Sequence, residues 1–216
     1  MPDLPTFTIF GQPIGLLEIL ATITGLINTY LLIKNSVWNW FWGILSALLF
    51  GAVFYEYKLF SNMGLQIVYY VPMMAYGWYL WTRGTPGKQD DLPITMLRPF
   101  ERVNWIVAAS VASGIWGAIM SRTTPAALPY ADALNTGMSV IALYLQSKRK
   151  FESWWFWLAV NLLGTFYLYP MQKLYLTTVL YALFTIMAFL GAREWTKLMR
   201  QQREDGEFSL FTNTPV

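Results

Sequence analysis

Apolar residues run in blocks of about 20, the length that crosses a bilayer as a helix, with short polar breaks between them. No other property of the sequence limits the fold so tightly. Only 12% of the 216 residues are charged, about half the share that soluble domains carry. A chain of this kind is predicted to be an all-α, polytopic membrane protein, with nearly all of its length consumed by spans. Seven are expected, at about 14–33, 37–56, 62–82, 102–121, 128–147, 153–171 and 174–195. Lys34-Asn35-Ser36, Glu56-Tyr57-Lys58, Arg122-Thr123-Thr124-Pro125 and Lys148-Arg149-Lys150 mark breaks, and Pro170 ends the sixth span. The longest loop, about 83–101, holds Gly84, Pro86, Gly87, Pro93 and Pro99. Residues 1–13 read as a short lead-in without the basic start of a signal peptide. The polar tail from about 197 is expected to fray.

Basic residues set the orientation. Lys34, Arg83, Lys88, Arg98, Arg102, Lys148, Arg149, Lys150, Arg193, Lys197, Arg200 and Arg203 fall on one side, leaving Lys58, Arg122 and Lys173 on the other, 12 against 3 of the 15. The expected topology has the N-terminus outside and the C-terminus in the cytoplasm. An odd number of spans is needed to keep that split.

The chain also echoes itself. Trp40-Phe41-Trp42 and Lys58-Leu59 match Trp155-Phe156-Trp157 and Lys173-Leu174 at a shift of 115, which sets Ser46 against Asn161. Thr24-Gly25 meets Thr136-Gly137 at 112, and Gly77 and Trp81 meet Gly191 and Trp195 at 114. Spans one to three are thus expected to repeat in spans five to seven. One connecting span gives both units the same orientation, a parallel repeat. The divisions are unit one at 14–82, a cytoplasmic loop and linker helix at 83–127, unit two at 128–196, and a tail at 197–216.

Absences narrow the chemistry. The chain has no cysteine and no histidine, which removes thiolate ligands, the commonest metal ligand and the commonest general base. No phosphate loop, Gly-x-Ser-x-Gly or zinc-protease motif is present. No cofactor, metal site or nucleic-acid partner is expected. An intramembrane enzyme acting on lipid would need an acid or nucleophile set that the sequence does not supply. A non-transporting scaffold would leave the paired units without a purpose. Glu18 and Asp132 read as hydrated carboxylates at helix starts, favoured there by the helix dipole.

Neutral polar groups inside the spans remain. A buried amide in lipid must face protein or water. Trp157 and Asn161 lie four apart, on one helix face with Thr165. Gln66 shares a face with Tyr69, Met73 and Tyr76. Trp42 and Trp157 are expected to sandwich a flat ring. The candidate substrate-binding residues are therefore Trp42, Gln66, Tyr69, Trp157, Asn161 and Thr165, with Asn28, Asn39, Ser46, Tyr76, Asn135, Tyr181 and Glu18 as weaker candidates. Trp38, Trp40, Trp78, Trp81, Trp105, Trp154, Trp155 and Trp195 are expected at the membrane interfaces.

Asn39-Trp40-Phe41-Trp42-Gly43, Phe54-Tyr55-x-x-Lys58-Leu59, Met63-Gly64-Leu65-Gln66, Tyr76-Gly77-Trp78-Tyr79-x-Trp81 and Trp157-x-x-x-Asn161 together resemble the PnuC family of bacterial nicotinamide riboside transporters. The resemblance runs from about Glu18 to Trp195. Phe41 departs from it, standing where many members have proline. The resemblance implies a three-plus-one-plus-three fold related to SWEET sugar transporters, a homotrimer in the inner membrane, and a substrate site in each protomer. It also implies facilitated diffusion with cytoplasmic trapping. Thiamine and riboflavin carriers fall in the same broad family.

Overall fold

The computed structural model describes residues 6–9, 12–56, 63–83, 92–123, 128–171 and 175–212. Lys58-Leu59, Lys88 and Lys173-Leu174 lie outside these residues. The described fold opens on an antiparallel hairpin of β1 (Thr6–Ile9) and β2 (Gln12–Gly15), with Thr6 opposite Gly15. The rest is helical. The first two helices are α1 (Leu16–Ile33) and α2 (Asn39–Glu56). A π-helical turn, Leu65–Tyr70, leads into α3 (Val71–Arg83). Then come α4 (Pro99–Thr123), α5 (Pro129–Ser147) and α6 (Ser153–Leu163). A second π turn, Gly164–Leu168, and a last turn, Tyr169–Met171, complete the sixth rod before α7 (Tyr175–Thr212).

Two elements differ from expectation. The third and sixth rods are not uniform α-helices, because each contains a π turn. The last helix does not stop near 197 but continues to Thr212, through Gln201, Gln202, Arg203 and Glu204, all good helix formers.

Helices α1 and α4 are long and apolar enough to cross a membrane, with mean hydropathy of 1.8 and 1.5 over their best stretches. On α4, Val103, Ile106, Val107, Val111, Ile115 and Trp116 are all exposed. Apolar side chains that do not face the bundle suit contact with lipid tails.

The helix contacts come in pairs. Helix α1 packs on α2 as α5 packs on α6; α2 packs on α3 as α6 packs on α7; and α1 meets α7 as α5 meets α3. Helix α4 packs on α5. The same pairing holds atom by atom where α1 and α5 end. Asn35 N–H donates to Leu32 O at 2.9 Å and Ser36 N–H to Leu31 O at 2.9 Å. Arg149 N–H donates to Gln146 O at 2.9 Å and Lys150 N–H to Leu145 O at 2.9 Å. Both are Schellman closures, and both place a non-glycine residue in the left-handed region, Asn35 at φ 53° and Arg149 at φ 48°.

These two corners correspond at a shift of 114, one less than the aromatic motif suggests. Trp40 corresponds to Trp154, not to Trp155: Trp40 and Trp154 are each 1% exposed, whereas Trp155 is 54% exposed. Each packs on a glycine. A Cβ on Gly77 would lie 2.5 Å from Trp40, and one on Gly191 would lie 2.2 Å from Trp154. Each also meets a second indole edge-on, Trp40 with Trp81 at 5.2 Å and Trp154 with Trp195 at 5.5 Å. Trp81 Nε1–H donates to Ser147 O at 3.2 Å and Trp195 Nε1–H to Leu32 O at 3.1 Å. Trp40, Trp81, Trp154 and Trp195 therefore belong to the core rather than to an interfacial belt.

A strap from Leu92 to Arg98 crosses this basic end of the bundle. Thr95 N–H donates to Arg149 O at 3.1 Å and Phe151 N–H to Thr95 O at 2.9 Å. Glu152, 5% exposed, accepts from Leu97 N–H at 3.0 Å and Arg102 Nε at 2.8 Å. A charge so buried is held only because both partners are present. Arg149, also buried, donates to Leu92 O and lies 4.2 Å from the Trp81 ring centroid, which offsets part of its backbone strain.

Candidate functional site

Helix α6 carries the clearest pair. Trp157 and Asn161 lie one turn apart. The Trp157 indole N–H donates to Gln146 Oε1 at 2.8 Å, and Gln146 is itself buried on α5. That bond fixes the plane of the ring. Asn161 is 7% exposed, and its amide makes no hydrogen bond among the described residues. Its donor and acceptor are therefore uncommitted within the bundle.

Beyond Leu163 the helix widens into its π turn, closed by Tyr169 N–H on Gly164 O. A π turn inserts one residue and swings the following side chains to a new face; such turns often mark functional sites. Gly164 is required there by close approach: a Cβ would lie 2.4 Å from Tyr181 and 2.9 Å from Tyr169. The two phenol rings sit 4.5 Å apart. Tyr181 also lies close to Asn135. Thr165 Oγ1 lies 3.5 Å from Thr185 Oγ1.

The first π turn reaches the same region from the other unit. Tyr69 O–H donates to Val140 O at 2.7 Å. Tyr70 lies close to Ser139, whose hydroxyl donates to Asn135 O at 2.8 Å. Asn135 is 7% exposed, and its Oδ1 has no partner. Amides, hydroxyls and phenols from α5, α6, α7 and both π turns thus converge. Among the described residues no lysine or arginine bonds into this set. No group of three or more acids that could hold a metal occurs among them either.

The structure brings Tyr69, Thr165, Asn135 and Tyr181 into this neutral cluster, next to the turn that carries Trp157 and Asn161. It gives others local work. Asn39, fully buried, donates to Ser36 O at 2.6 Å and closes the start of α2. Ser46 donates to Ala21 O at 2.9 Å, tying α2 to α1. Asn28 packs under Gly43. Tyr76 accepts from Lys148 Nζ, with that cation 4.8 Å from its ring. Gln66 is half-buried and supplies the carbonyl that closes the first π turn on Val71 N–H. Trp42 stands edge-on to Phe41 at 5.7 Å, and no ring contact with Trp157 occurs among the described residues. Glu18 lies in the first turn of α1.

Tyr70, Tyr169, Ser139 and Gln146 escaped the sequence reading. Gln146 had a signal, a lone amide two residues before the basic Lys148-Arg149-Lys150 break. Tyr70 did not, because α-helical spacing selects Tyr69 and only the π turn brings in its neighbour.

Comparison with known proteins bears on the whole bundle. The family described as "Nicotinamide mononucleotide transporter" matches residues 15–197. The nicotinamide riboside transporter PnuC of Escherichia coli is 24% identical, covering 89% of this chain and 90% of that protein. The riboflavin/roseoflavin transporter RibM of Streptomyces davaonensis is 27% identical, covering 88% of each. A crystal structure of the vitamin B3 transporter PnuC superposes with a TM-score of 0.68 at 22% identity, over 86% of this chain and 82% of that one, and so shares the fold.

Proposed function

The chain belongs to the nicotinamide mononucleotide transporter family, so it is a transporter and not an enzyme, and from that premise we propose that it carries nicotinamide riboside across the bacterial inner membrane. The observation that carries the reading is Asn161, whose amide makes no hydrogen bond among the described residues, one turn from an indole that Gln146 orients. Nicotinamide riboside is a cationic pyridinium bearing a carboxamide and a ribose. An indole face attracts a cation without a counter-ion, and an asparagine both donates to and accepts from a carboxamide. Trp42, Trp157 and Asn161 hold the base; Gln66, Tyr69 and Thr165 serve the ribose hydroxyls. The family description names the mononucleotide, but a phosphate calls for arginine or lysine. The cluster offers neither, which favours the unphosphorylated nucleoside.

The paired contacts at a shift of 114 support a three-plus-one-plus-three, SWEET-like parallel repeat with α4 as connector. The basic strap end is the cytoplasmic side, and the N-terminus is outside. The lipid-facing bundle works as a homotrimer. Transport is uniport, with phosphorylation in the cytoplasm trapping the substrate for NAD biosynthesis. Proton coupling would need an ionisable group well inside the cavity, and the amide and phenol set supplies none. In liposomes without a membrane potential or a kinase, internal nicotinamide riboside should level off at the external concentration, and imposed pH or sodium gradients should not move the plateau. A gradient-driven excess would overturn uniport.

Riboflavin is the second reading, favoured by the similarity to RibM over nearly the full chain; thiamine is a third ligand of the same kind. Thermal stabilisation of the purified protein by each vitamin separates them. Nicotinamide riboside should raise the unfolding temperature most, and a larger shift with riboflavin would replace the substrate named here.

A further inference from the structure

Two carboxylates occupy equivalent places in the repeat. Glu18 and Asp132 are 114 residues apart, each in the first turn of its helix, at the end of the bundle away from the strap. The helix dipole accounts for a carboxylate in either position. Their surroundings differ. One turn beyond Glu18 stands Ala21; one turn beyond Asp132 stands Asn135, whose Oδ1 is buried and unpartnered. The counterpart of Tyr181 in unit one is Ile67. Asp132 lies near enough to Tyr169 and Tyr181 to act on both electrostatically. It is half-buried, and among the described residues it forms no ion pair: the recorded pairs are Arg102 with Glu152 and Lys197 with Glu194.

A half-buried carboxylate with no cationic partner among the described residues, beside an unsatisfied amide oxygen, is a place for a positively charged group that also donates hydrogen bonds. We infer that Asp132 is a specificity-determining residue: with Asn135 Oδ1 it holds the cationic ring of the ligand at the approach to the Trp157–Asn161 pair, and so selects cationic over neutral ligands. This rests on the transport reading above. A neutral pocket binds a flat aromatic ring whatever its charge; adding one fixed negative group converts it into a charge filter. Glu18, with apolar neighbours, has no such part.

Calorimetry of the purified protein with two ligands of nearly the same shape tests this. Nicotinamide riboside is cationic, and its dihydro form, reduced by one hydride, is neutral. The wild type should bind the cation more tightly. Asp132→Asn should weaken the cation by about tenfold, about 1.4 kcal/mol, and the neutral form by less than about twofold. Asp132→Glu should recover most of the loss, and Glu194→Gln, which removes a carboxylate paired with Lys197 at the strap end, should change neither constant. Asp132→Ser serves if the asparagine variant does not fold. Equal losses for both ligands, or none for either, would overturn the role of Asp132 and leave the transport reading standing, as would a wild type that binds both ligands equally. A wild type that binds neither would instead remove the transport reading.

Discussion

Set side by side at a shift of 114, the two halves agree where they are packed and at the carboxylates that open α1 and α5, and disagree in the neutral polar groups inside the bundle. The shared positions are Trp40 and Trp154, Gly77 and Gly191, Trp81 and Trp195, and the two Schellman corners. The polar positions of unit two meet small or apolar residues in unit one: Asn135 meets Ala21, Ser139 meets Gly25, Gln146 meets Leu32, Trp157 meets Gly43, Asn161 meets Ala47 and Thr165 meets Gly51. The reverse also holds, since Asn28, Ser46 and Gln66 meet Ala142, Val160 and Leu180. The repeated framework supplies geometry twice, and each unit supplies its polar chemistry once. A ligand without two-fold symmetry requires that division.

The comparison breaks most readily at the tryptophans. Trp40→Ala and Trp154→Ala should each cost about 3–5 kcal/mol, as for other fully buried large aromatics, read as denaturant unfolding in micelles. The two losses should be similar; a large loss at one site only would end the equivalence. Binding comes next. Trp157→Ala and Asn161→Ala should each weaken nicotinamide riboside by about tenfold or more, at least about 1.4 kcal/mol, with assembly unchanged by size-exclusion chromatography. Normal binding by Asn161→Ala would misplace the pocket. Gln146→Leu gives unit two the residue of unit one. It should remove one neutral hydrogen bond worth about 0.5–1.5 kcal/mol, seen as weaker binding with near-normal thermal stability. The smallest effect lies at the corners. Asn35→Gly should stabilise by a few tenths of a kcal/mol, up to about 1, because glycine tolerates φ > 0. Arg149→Gly should destabilise, since it also loses the bond to Leu92 O and the contact with Trp81. Gains at both corners would show that Arg149 does no more than turn the chain.

Hydrophobic blocks and basic breaks sufficed to place seven rods, all but the end of the last to within a few residues, because span length is set by bilayer thickness. The register of the repeat was harder. Trp154 and Trp155 are adjacent, and identity alone aligns Trp40 with the wrong one; only burial against Gly191 separates them. The Trp157–Asn161 pair was readable from helical spacing. Of the phenols, Tyr69 and Tyr181 were also named from the sequence; Tyr70 and Tyr169 were not, because two π turns shift the phase of the third and sixth rods, and nothing in Leu65–Tyr70 or Gly164–Leu168 announces an inserted residue. Glu152 was missed for a different reason: a lone acid beside a basic run reads as solvated until the strap is seen to cover it.

The hydrogen bonds of Trp81 and Trp195 cross between the units: the third helix of each unit holds the end of the first helix of the other. Neither unit carries its own clasp. A half-length chain would keep its internal helix contacts yet leave one indole N–H and one helix-terminal carbonyl without partners in the core, at about 1–3 kcal/mol for each. Folding is thereby made conditional on the whole chain being present. The same exchange brings the Trp81 and Trp195 ring centroids to within 6.1 Å of each other, so loosening one clasp disturbs the ring contact that supports the other.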